Sequence, residues 1–285
     1  MKQIVFSPIK NIRNLLSSGC LFVLAAIGFS SCNNDIPGGE PSDNRASLKL
    51  SVCPAGWMNS SGTRASYSSL SESSGNKTFS ISFQSGDAIG LFVCDKTGKV
   101  VSANKKYTYT GSAWNTDDPI EYVTGLGSYT FFAYYPWVST LSGAPALNST
   151  PDVSSADNFF ASAIMAWTPA ADQSTVAKFT AQDLMVGKGT TSTPYFHEVN
   201  VSFTLFHKMG LLVTKSSLDY YDMDDPSDTW SETQTFSTNI PCTISGCCYF
   251  FAKPNVATTL GSKTATVASG QVWQLYFTGG EPSHR

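Results

Sequence analysis

Cys32 stands in a sequence context that points to a covalent modification. It follows an apolar run, Leu15–Phe29, and after it the chain becomes polar. Basic residues precede the run, and no acidic residue occurs before Asp35. Because a membrane-spanning helix needs about 20 apolar residues, this run is too short to cross a bilayer. A basic start, an apolar middle and small residues at the end are typical of an export signal that is cleaved off.

The four residues Phe29–Cys32 resemble the lipobox of bacterial lipoproteins, although Phe29 stands where leucine is usual. In that motif the cysteine thiol accepts a diacylglyceryl group as a thioether and becomes the new N-terminus. We therefore predict that residues 1–31 are a lipoprotein signal peptide and that Cys32 carries acyl chains such as palmitate. Two or three such chains hold a protein stably on a bilayer. The alternative is a plain secretory peptide cut near Ser31, with Cys32 unmodified.

Candidates for catalysis are few. His207 follows the face of a predicted strand, a position more typical of packing or capping than of catalysis. His197 lies ten residues earlier, near the start of that strand, and the two histidines are not expected to form a catalytic pair. The stretch "GKGTT" at residues 187–191 lacks the spacing of a phosphate-binding loop and is not followed by a helix pattern. No nucleophile elbow or metalloprotease helix occurs. The sequence predicts no catalytic residue and no cofactor, so the chain is not expected to be an enzyme.

Metal binding is also not predicted. Residues 219–228, "DYYDMDDPSD", hold five aspartates, and oxygen-rich loops can bind calcium. An EF-hand loop counted from Asp222 would need glycine and glutamate where Ser227 and Thr233 stand. A solvated turn is therefore the expected structure, with calcium binding as the alternative.

Cysteine usage indicates packing rather than a disulfide framework. Besides Cys20 in the signal and Cys32, the chain has five cysteines, which have no paired spacing; they are Cys53, Cys94, Cys242, Cys247 and Cys248. Zinc bound by the last three would lack a fourth ligand. We expect small apolar residues in strands, with one disulfide at most.

The charge balance excludes some partners. The 285-residue chain has a net charge of −3, and the predicted signal peptide contributes only basic residues. The mature chain is therefore more acidic and lacks a basic patch for nucleic acid.

Strand patterns dominate the mature chain. Apolar and polar residues alternate in several segments rich in Val, Ile, Tyr and Phe, and Gly, Asn, Asp and Ser separate them. The alternating segments are Ser47–Val52, Thr78–Phe83 and Val199–Lys215. Tyr129–Trp137 is aromatic almost throughout, as a strand covered on both faces would be, and the other strand candidates are Ala88–Cys94, "CTISGCCYFFA" and "QVWQLYFT". Many short strands without amphipathic helices predict an all-β sandwich architecture.

Turn-rich segments indicate how the chain is divided. Residues 187–194, "GKGTTSTP", separate two groups of strands, and residues 141–155 are expected to form a long surface loop. We predict a flexible tether at residues 32–46, an N-terminal β-sandwich domain at 47–194 and a C-terminal β-sandwich domain at 195–285.

Five phrases, in this order, resemble the fimbrillin family of Bacteroidales, the subunits of type V pili and their lipoprotein relatives. They are "SLKLSV…GTRASYS", "FQSGDAIGLFV", "GSYTFFAYYPW", "DLMVGKG" and "VSFTLFHKMGLLVTK", with His207 in the family's usual place. The resemblance implies two transthyretin-like β-sandwich domains in tandem. It also implies a structural or adhesive pilus subunit, lipid-anchored in the outer membrane and exposed at the cell surface. Other pilus subunits would be its partners, together with host or bacterial surface ligands if it is adhesive.

The resemblance further implies proteolytic trimming followed by strand complementation. In such subunits a trypsin-like protease cuts after an arginine beyond the first strand, and a strand of a neighbouring subunit then fills the vacated edge. Arg64 lies in a Gly/Ser-rich loop after the strand "SLKLSV", whereas Arg45 precedes that strand. Arg64 is thus the predicted cleavage site, and Arg45 is the second choice. The alternative is a subunit that keeps its first strand.

The end of the chain departs from the family's pattern. Family members finish with a further strand, which polymerising subunits donate, but this chain stops at "GGEPSHR". The resemblance therefore leads us to expect either a truncated C-terminal domain or a terminal subunit, and a stalk, tip or anchor role stays open.

A binding role without assembly is the main alternative. Tryptophans in loops can stack on sugar rings, and Trp114 and Trp230 are the candidates for this role. The alternative function is a monomeric glycan-binding surface lipoprotein on a similar β-sandwich.

Overall fold

A computed structural model describes residues 45–57, 66–73, 76–80, 82–120, 122–123, 129–191, 198–221, 227 and 229–275. Strands make up most of its regular structure, and three short helices lie in the middle of the chain. The helices are α1 (Ala156–Phe159), α2 (Ala161–Ala166) and α3 (Val176–Thr180). The strands before the helices are β1 (Arg45–Pro54), β2 (Ser66–Ser73), β3 (Asn76–Ser80), β4 (Ala88–Cys94), β5 (Val100–Tyr109), β6 (Trp114–Asn115), β7 (Tyr122–Val123) and β8 (Thr130–Tyr135). The strands after them are β9 (Met185–Lys188), β10 (Thr190–Thr191), β11 (Glu198–His207), β12 (Gly210–Lys215), β13 (Ser217–Tyr221), β14 (Thr229–Thr233), β15 (Cys242–Ile244), β16 (Cys247–Ala252), β17 (Thr258–Leu260), β18 (Lys263–Ala265) and β19 (Val272–Gln274).

The largest sheet has the strand order β6-β5-β4-β8-β9-β11-β1-β7, and β10 pairs with β11. All pairs of neighbouring strands in this sheet are antiparallel, except that β1 runs parallel to β11. The sheet curls, so that β1 and β6, near its two ends, come within contact distance. One face therefore encloses an apolar core that includes Leu91, Phe131 and Phe203, which we call the inner core.

The other face of this sheet packs against a second sheet and the helices. The second sheet has the order β15-β16-β12-β19. Phe92 and Phe132 of the first sheet and Phe251 of the second are fully buried in the shared core, which we call the intersheet core. The ring of Phe159 in α1 stacks on Phe132 with ring centroids 4.0 Å apart. Helix α1 thus covers part of the first sheet.

Gly90 in β4 makes room for the ring of Tyr134, its partner in β8. A Cβ atom added to Gly90 would lie 2.0 Å from the Tyr134 ring, so only glycine fits opposite this tyrosine. Burial raises the pKa of the Tyr134 hydroxyl to about 12. The hydroxyl lies 2.7 Å from Asn104 Oδ1 and 3.0 Å from the Val138 carbonyl oxygen. The buried polar group is thereby satisfied within the protein.

The all-β prediction is confirmed, with differences in detail. The segment Val199–Lys215 was expected as one strand but forms β11 and β12, which lie in different sheets. The chain leaves the first sheet at Lys208–Met209 and enters the second at Gly210, where a Cβ atom would clash with Val267. The helices were not predicted, although Ser155 accepts a hydrogen bond from the Asn158 amide as an N-cap serine does.

The predicted division into two domains at residue 194 stays a prediction. The boundary falls within residues 192–197, outside the described residues, and β11, which follows it, belongs to the first sheet. Among the described residues, no helix has the length and apolar character that crossing a membrane would require.

Candidate functional site

Strand β1 is held in its sheet mainly from one side. It pairs in parallel with β11 over eight positions, from Ser47 opposite Glu198 to Pro54 opposite Leu205. On its other side, within the part of the chain that the structure describes, Arg45 and Ala46 pair with β7. Loss of β1 would therefore leave the edge of β11 with a long row of unpaired backbone groups, which is a template for another strand.

The two faces of β1 differ in character. Leu50 is buried in the inner core, and the partly buried Leu48 and Val52 pack against the same core. Lys49 and Ser51, at the alternate positions, are exposed. This alternation is what a strand with one buried face requires, and it fixes the register of β1 on β11.

The chain beyond β1 crosses from the inner core to the intersheet core. The Ala55 amide donates a hydrogen bond to the Leu205 carbonyl oxygen at 2.7 Å, which extends the pairing by one residue. Trp57 then enters the intersheet core and is only 2% exposed. Its ring stacks on His207 with centroids 3.8 Å apart and lies 5.9 Å from the Phe251 ring. The first strand is thus followed by a buried aromatic anchor.

His207, at the end of β11, connects this anchor to β9. Its Nδ1 atom lies 2.8 Å from Asp183 Oδ1, and its Nε2 atom lies 3.0 Å from the Ala55 carbonyl oxygen. Both side chains are almost completely buried, at 1% and 0% exposure. Because a carbonyl oxygen only accepts, Nε2 carries a proton and donates a hydrogen bond to the Ala55 carbonyl oxygen. The ring therefore joins the segment after β1 to the carboxyl group that precedes β9.

Glycines allow β9 to approach β11 closely. A Cβ atom on Gly187 would lie 2.5 Å from the Thr204 carbonyl oxygen, and one on Gly189 would lie 2.7 Å from a Val201 methyl group. These contacts are shorter than van der Waals distances allow, so side chains at either position would separate the strands. The close approach places Asp183 within hydrogen-bond distance of His207.

An open cleft of about 910 Å³ borders the outer face of the same strands. Cys53, Gly56 and Phe206 contribute to its lining. Phe206 is 54% exposed, and Cys53 is exposed as a free thiol. The segment between β1 and Trp57 therefore has an open side, although both of its ends are anchored.

A comparison with protein-family models matches residues 63–239 to the family described as "Fimbrillin-like". The chain belongs to the fimbrillin-like family. This confirms the family prediction and the expectation that the chain is not an enzyme, because the family consists of fimbrial structural subunits.

Two similar proteins come from Bacteroides ovatus. The chain is 30% identical over 211 residues to a protein named "Putative fimbrium tip subunit Fim1C", and the match covers 72% of this chain and 35% of that protein. A crystal structure of a fimbrial protein is 22% identical, with a TM-score of 0.54, and the match covers 81% of this chain and 48% of that one. The fimbrillin-like chain thus spans about a third of the first protein and about half of the second. At this identity the structural likeness concerns the fold alone.

Two phrases that carried the family resemblance meet in the fold. The Tyr135 hydroxyl, in "GSYTFFAYYPW", donates a hydrogen bond of 3.1 Å to Asp87 Oδ1, in "FQSGDAIGLFV". Asp87 also accepts a hydrogen bond of 2.7 Å from the Gln84 amide through Oδ2 and so closes the turn before β4. Burial and the Asp87 carboxylate raise the pKa of Tyr135, so the hydroxyl keeps its proton and remains a donor. Both phrases therefore contribute to one partly buried contact.

The residues predicted for modification have different outcomes. Cys32 and Arg64 lie outside the described residues, so lipidation and trimming stay predictions. Arg45, placed in the tether by the sequence, is the first residue of β1. His207 packs and bonds at the end of a strand, as predicted, but sequence reasoning missed Asp183 and Trp57. The phrase "DLMVGKG" contained Asp183 but gave no sign of its partner.

Other candidates from the sequence are placed as follows. Trp114, proposed to stack on sugars, is only 7% exposed, and Phe83 packs edge-on against it in the inner core. The expectation of a loop position for Trp114 was wrong, because Trp114 lies in β6 and pairs with Tyr109 of β5. The structure does not describe the side chain of Trp230 or most of the side chains of residues 219–228. No disulfide joins the cysteines from Cys53 onward, so the single disulfide allowed by the sequence is absent from the described residues.

Proposed function

We propose that this fimbrillin-like chain is a pilus subunit whose precursor is lipid-anchored through Cys32 and which assembles by strand exchange after trimming. In this proposal a protease cuts after Arg64, the β1 segment leaves, and an extended strand of a neighbouring subunit pairs with β11. The fimbrial names of its similar proteins support the role as a subunit. The position of β1 supports the mechanism.

The carrying observation is the one-sided pairing of β1. Its eight-position ladder with β11 is the main backbone pairing that would have to be replaced. A donor strand can re-form that ladder and fill the space left by Leu50 in the inner core. The exchange therefore conserves backbone hydrogen bonds and apolar burial, so it need not cost stability.

The described residues also favour Arg64 over Arg45 as the cleavage site. Arg45 pairs with Val123 in the sheet, whereas proteases cut segments that can leave regular structure. A cut at Arg45 would leave β1 attached to the rest of the domain. Only a cut beyond Trp57 separates the whole β1 segment.

The test compares Arg64→Ala with the matched variant Arg45→Ala in the native host. We expect Arg45→Ala to be trimmed and incorporated into pili like the unaltered chain. Arg64→Ala should keep its N-terminal segment, by mass spectrometry, and be missing from pili labelled with antibody. Normal incorporation of an untrimmed Arg64→Ala chain would refute the strand-exchange proposal.

A further inference from the structure

The contacts made by the residues after β1 define which groups a donor strand must supply when it replaces β1. Residues that leave with a cut at Arg64 include Trp57 as well as the strand itself. Trp57 fills a place in the intersheet core between the His207 ring and Phe251, which we call the aromatic socket. A donor strand that only paired with β11 would fill the inner core. It would leave the aromatic socket, in the intersheet core, empty.

An empty socket would be costly for two separate reasons. Removal of a buried tryptophan side chain forfeits its apolar contacts and leaves a cavity in a core that cannot fully collapse. The departing segment also takes away the Ala55 carbonyl oxygen, the acceptor for His207 Nε2. His207 is buried, so its Nε2–H group would lose a hydrogen bond within the protein.

The positions of the contacting residues along residues 48–57 set the spacing that a donor strand must match. Leu48, Leu50 and Val52 face the inner core at alternate positions. The Ala55 carbonyl oxygen follows three positions after Val52, and the Trp57 ring follows five positions after it. The exposed Lys49 and Ser51 contact neither core, so their side chains can vary.

We infer that the occupant of this site is an extended segment of another subunit that runs parallel to β11 and ends in an aromatic anchor. It places apolar side chains at three alternate positions, a backbone carbonyl oxygen against His207, and a tryptophan or similar ring in the aromatic socket. This inference rests on the proposed function and adds to it the sequence pattern that selects the partner. Donor strands that have apolar residues at the alternate positions but lack an aromatic ring for the socket bind more weakly.

The β1 segment itself supplies the probe. A chain carrying Arg45→Ala is cut with an Arg-specific protease, so that Arg64 is the available site between Cys32 and the second strand. Synthetic peptides spanning residues 45–60 then compete with the nicked fragment for β11. Release of the fragment is followed by mass spectrometry after gel filtration, and peptide affinity by fluorescence anisotropy.

The variants of the peptide isolate the aromatic anchor. Relative to the parent peptide, Trp57→Ala should bind at least ~100-fold more weakly, the loss expected for truncating a buried large aromatic side chain. Trp57→Phe should recover most of this loss, and the control Lys49→Ala should bind within about threefold of the parent because its side chain is exposed.

The outcomes separate the inference from the function on which it rests. Equal binding of the Trp57→Ala and parent peptides would overturn the aromatic anchor and leave strand exchange intact. Failure of every peptide to replace the nicked fragment would overturn both. Loss of binding by Lys49→Ala as large as that by Trp57→Ala would also refute the pattern.

Discussion

Asp183 and His207 are 24 positions apart in the chain, yet Asp183 Oδ1 lies 2.8 Å from His207 Nδ1 in the protein interior. The contact connects Asp183, two residues before β9 begins, to the end of β11, and through His207 Nε2 it reaches Ala55, which follows β1. A buried polar pair of this kind contributes to stability only while both partners are present. It therefore couples the stability of two neighbouring strands to the segment that the proposed mechanism removes.

Asp183→Ala should lower the free energy of unfolding by about 3–5 kcal/mol, because it leaves His207 buried without its carboxyl partner. Urea denaturation of the mature chain measures this change. Asp118→Ala is the control, since Asp118 pairs with Lys105 and is 69% exposed, and it should cost no more than about 1 kcal/mol. Similar losses in the two variants would show that the buried pair has no special role.

How much the sequence could predict depends on the range of the interactions. Strand β1 followed from local alternation, and β8 followed from an aromatic run typical of a strand that is covered on both faces, because both signals depend on neighbouring residues in sequence. The contact between Asp183 and His207 could not be predicted, since it depends on which strands pair and in what register.

The tryptophans illustrate the same limit from another direction. Sequence alone gave no reason to treat Trp57 as an anchor, because it follows Pro54–Gly56 in a segment without periodicity. Trp114 looked like a loop residue because "SAWN" follows a turn, but β6 pairs with β5 and directs it into the inner core. The burial of a single aromatic residue is decided by the curl of the whole sheet.

Gly187→Ala should destabilise the fold by about 1–3 kcal/mol, as expected for overpacking a tight contact. The added methyl group would meet the backbone oxygen of Thr204 at 2.5 Å, and that oxygen belongs to the ladder and cannot rotate away. Thermal unfolding followed by circular dichroism measures the effect. Thr190→Ala, at an exposed position of β10, is the control and should change little; equal stability of both variants would contradict the close approach of β9 to β11.

Gln173→Leu should cost about 1–3 kcal/mol, because it leaves buried backbone groups without partners. The Gln173 side chain is fully buried and pairs with Phe251 as a strand would. Its Nε2 atom donates to the Phe251 carbonyl oxygen at 2.9 Å, and its Oε1 atom accepts from the Phe251 amide at 2.8 Å. The side chain thus completes the pairing of β16 beyond the end of β15.

Hydrogen exchange of the Phe251 amide provides a local readout for this substitution. Exchange at Phe251 should accelerate in Gln173→Leu before the rest of β16 is affected. The matched control is Gln84→Leu, at an exposed glutamine of the turn before β4, which should change stability by no more than about 0.5 kcal/mol. Unchanged protection of Phe251 would show that Gln173 does not pair with the strand.

The free thiols should differ strongly in their reactivity toward iodoacetamide. Cys53 is exposed on the outer face of β1, whereas Cys94 is buried in the intersheet core, where burial raises the pKa of its thiol to about 11. Because the thiolate is the reactive form, only about one Cys94 thiol in a thousand is ionised at pH 8. Burial also raises the pKa values of Cys242 and Cys248, so both should react slowly as well.

Peptide mass spectrometry after timed labelling gives the rate at each cysteine. In the folded chain Cys53 should be labelled at least ~100-fold faster than Cys94, since reagent access and ionisation both favour it. In denaturant the two rates should converge, which controls for differences between the peptides. Labelling of Cys94 as fast as Cys53 in the folded chain would mean that strand β4 is not enclosed by the second sheet and the helices.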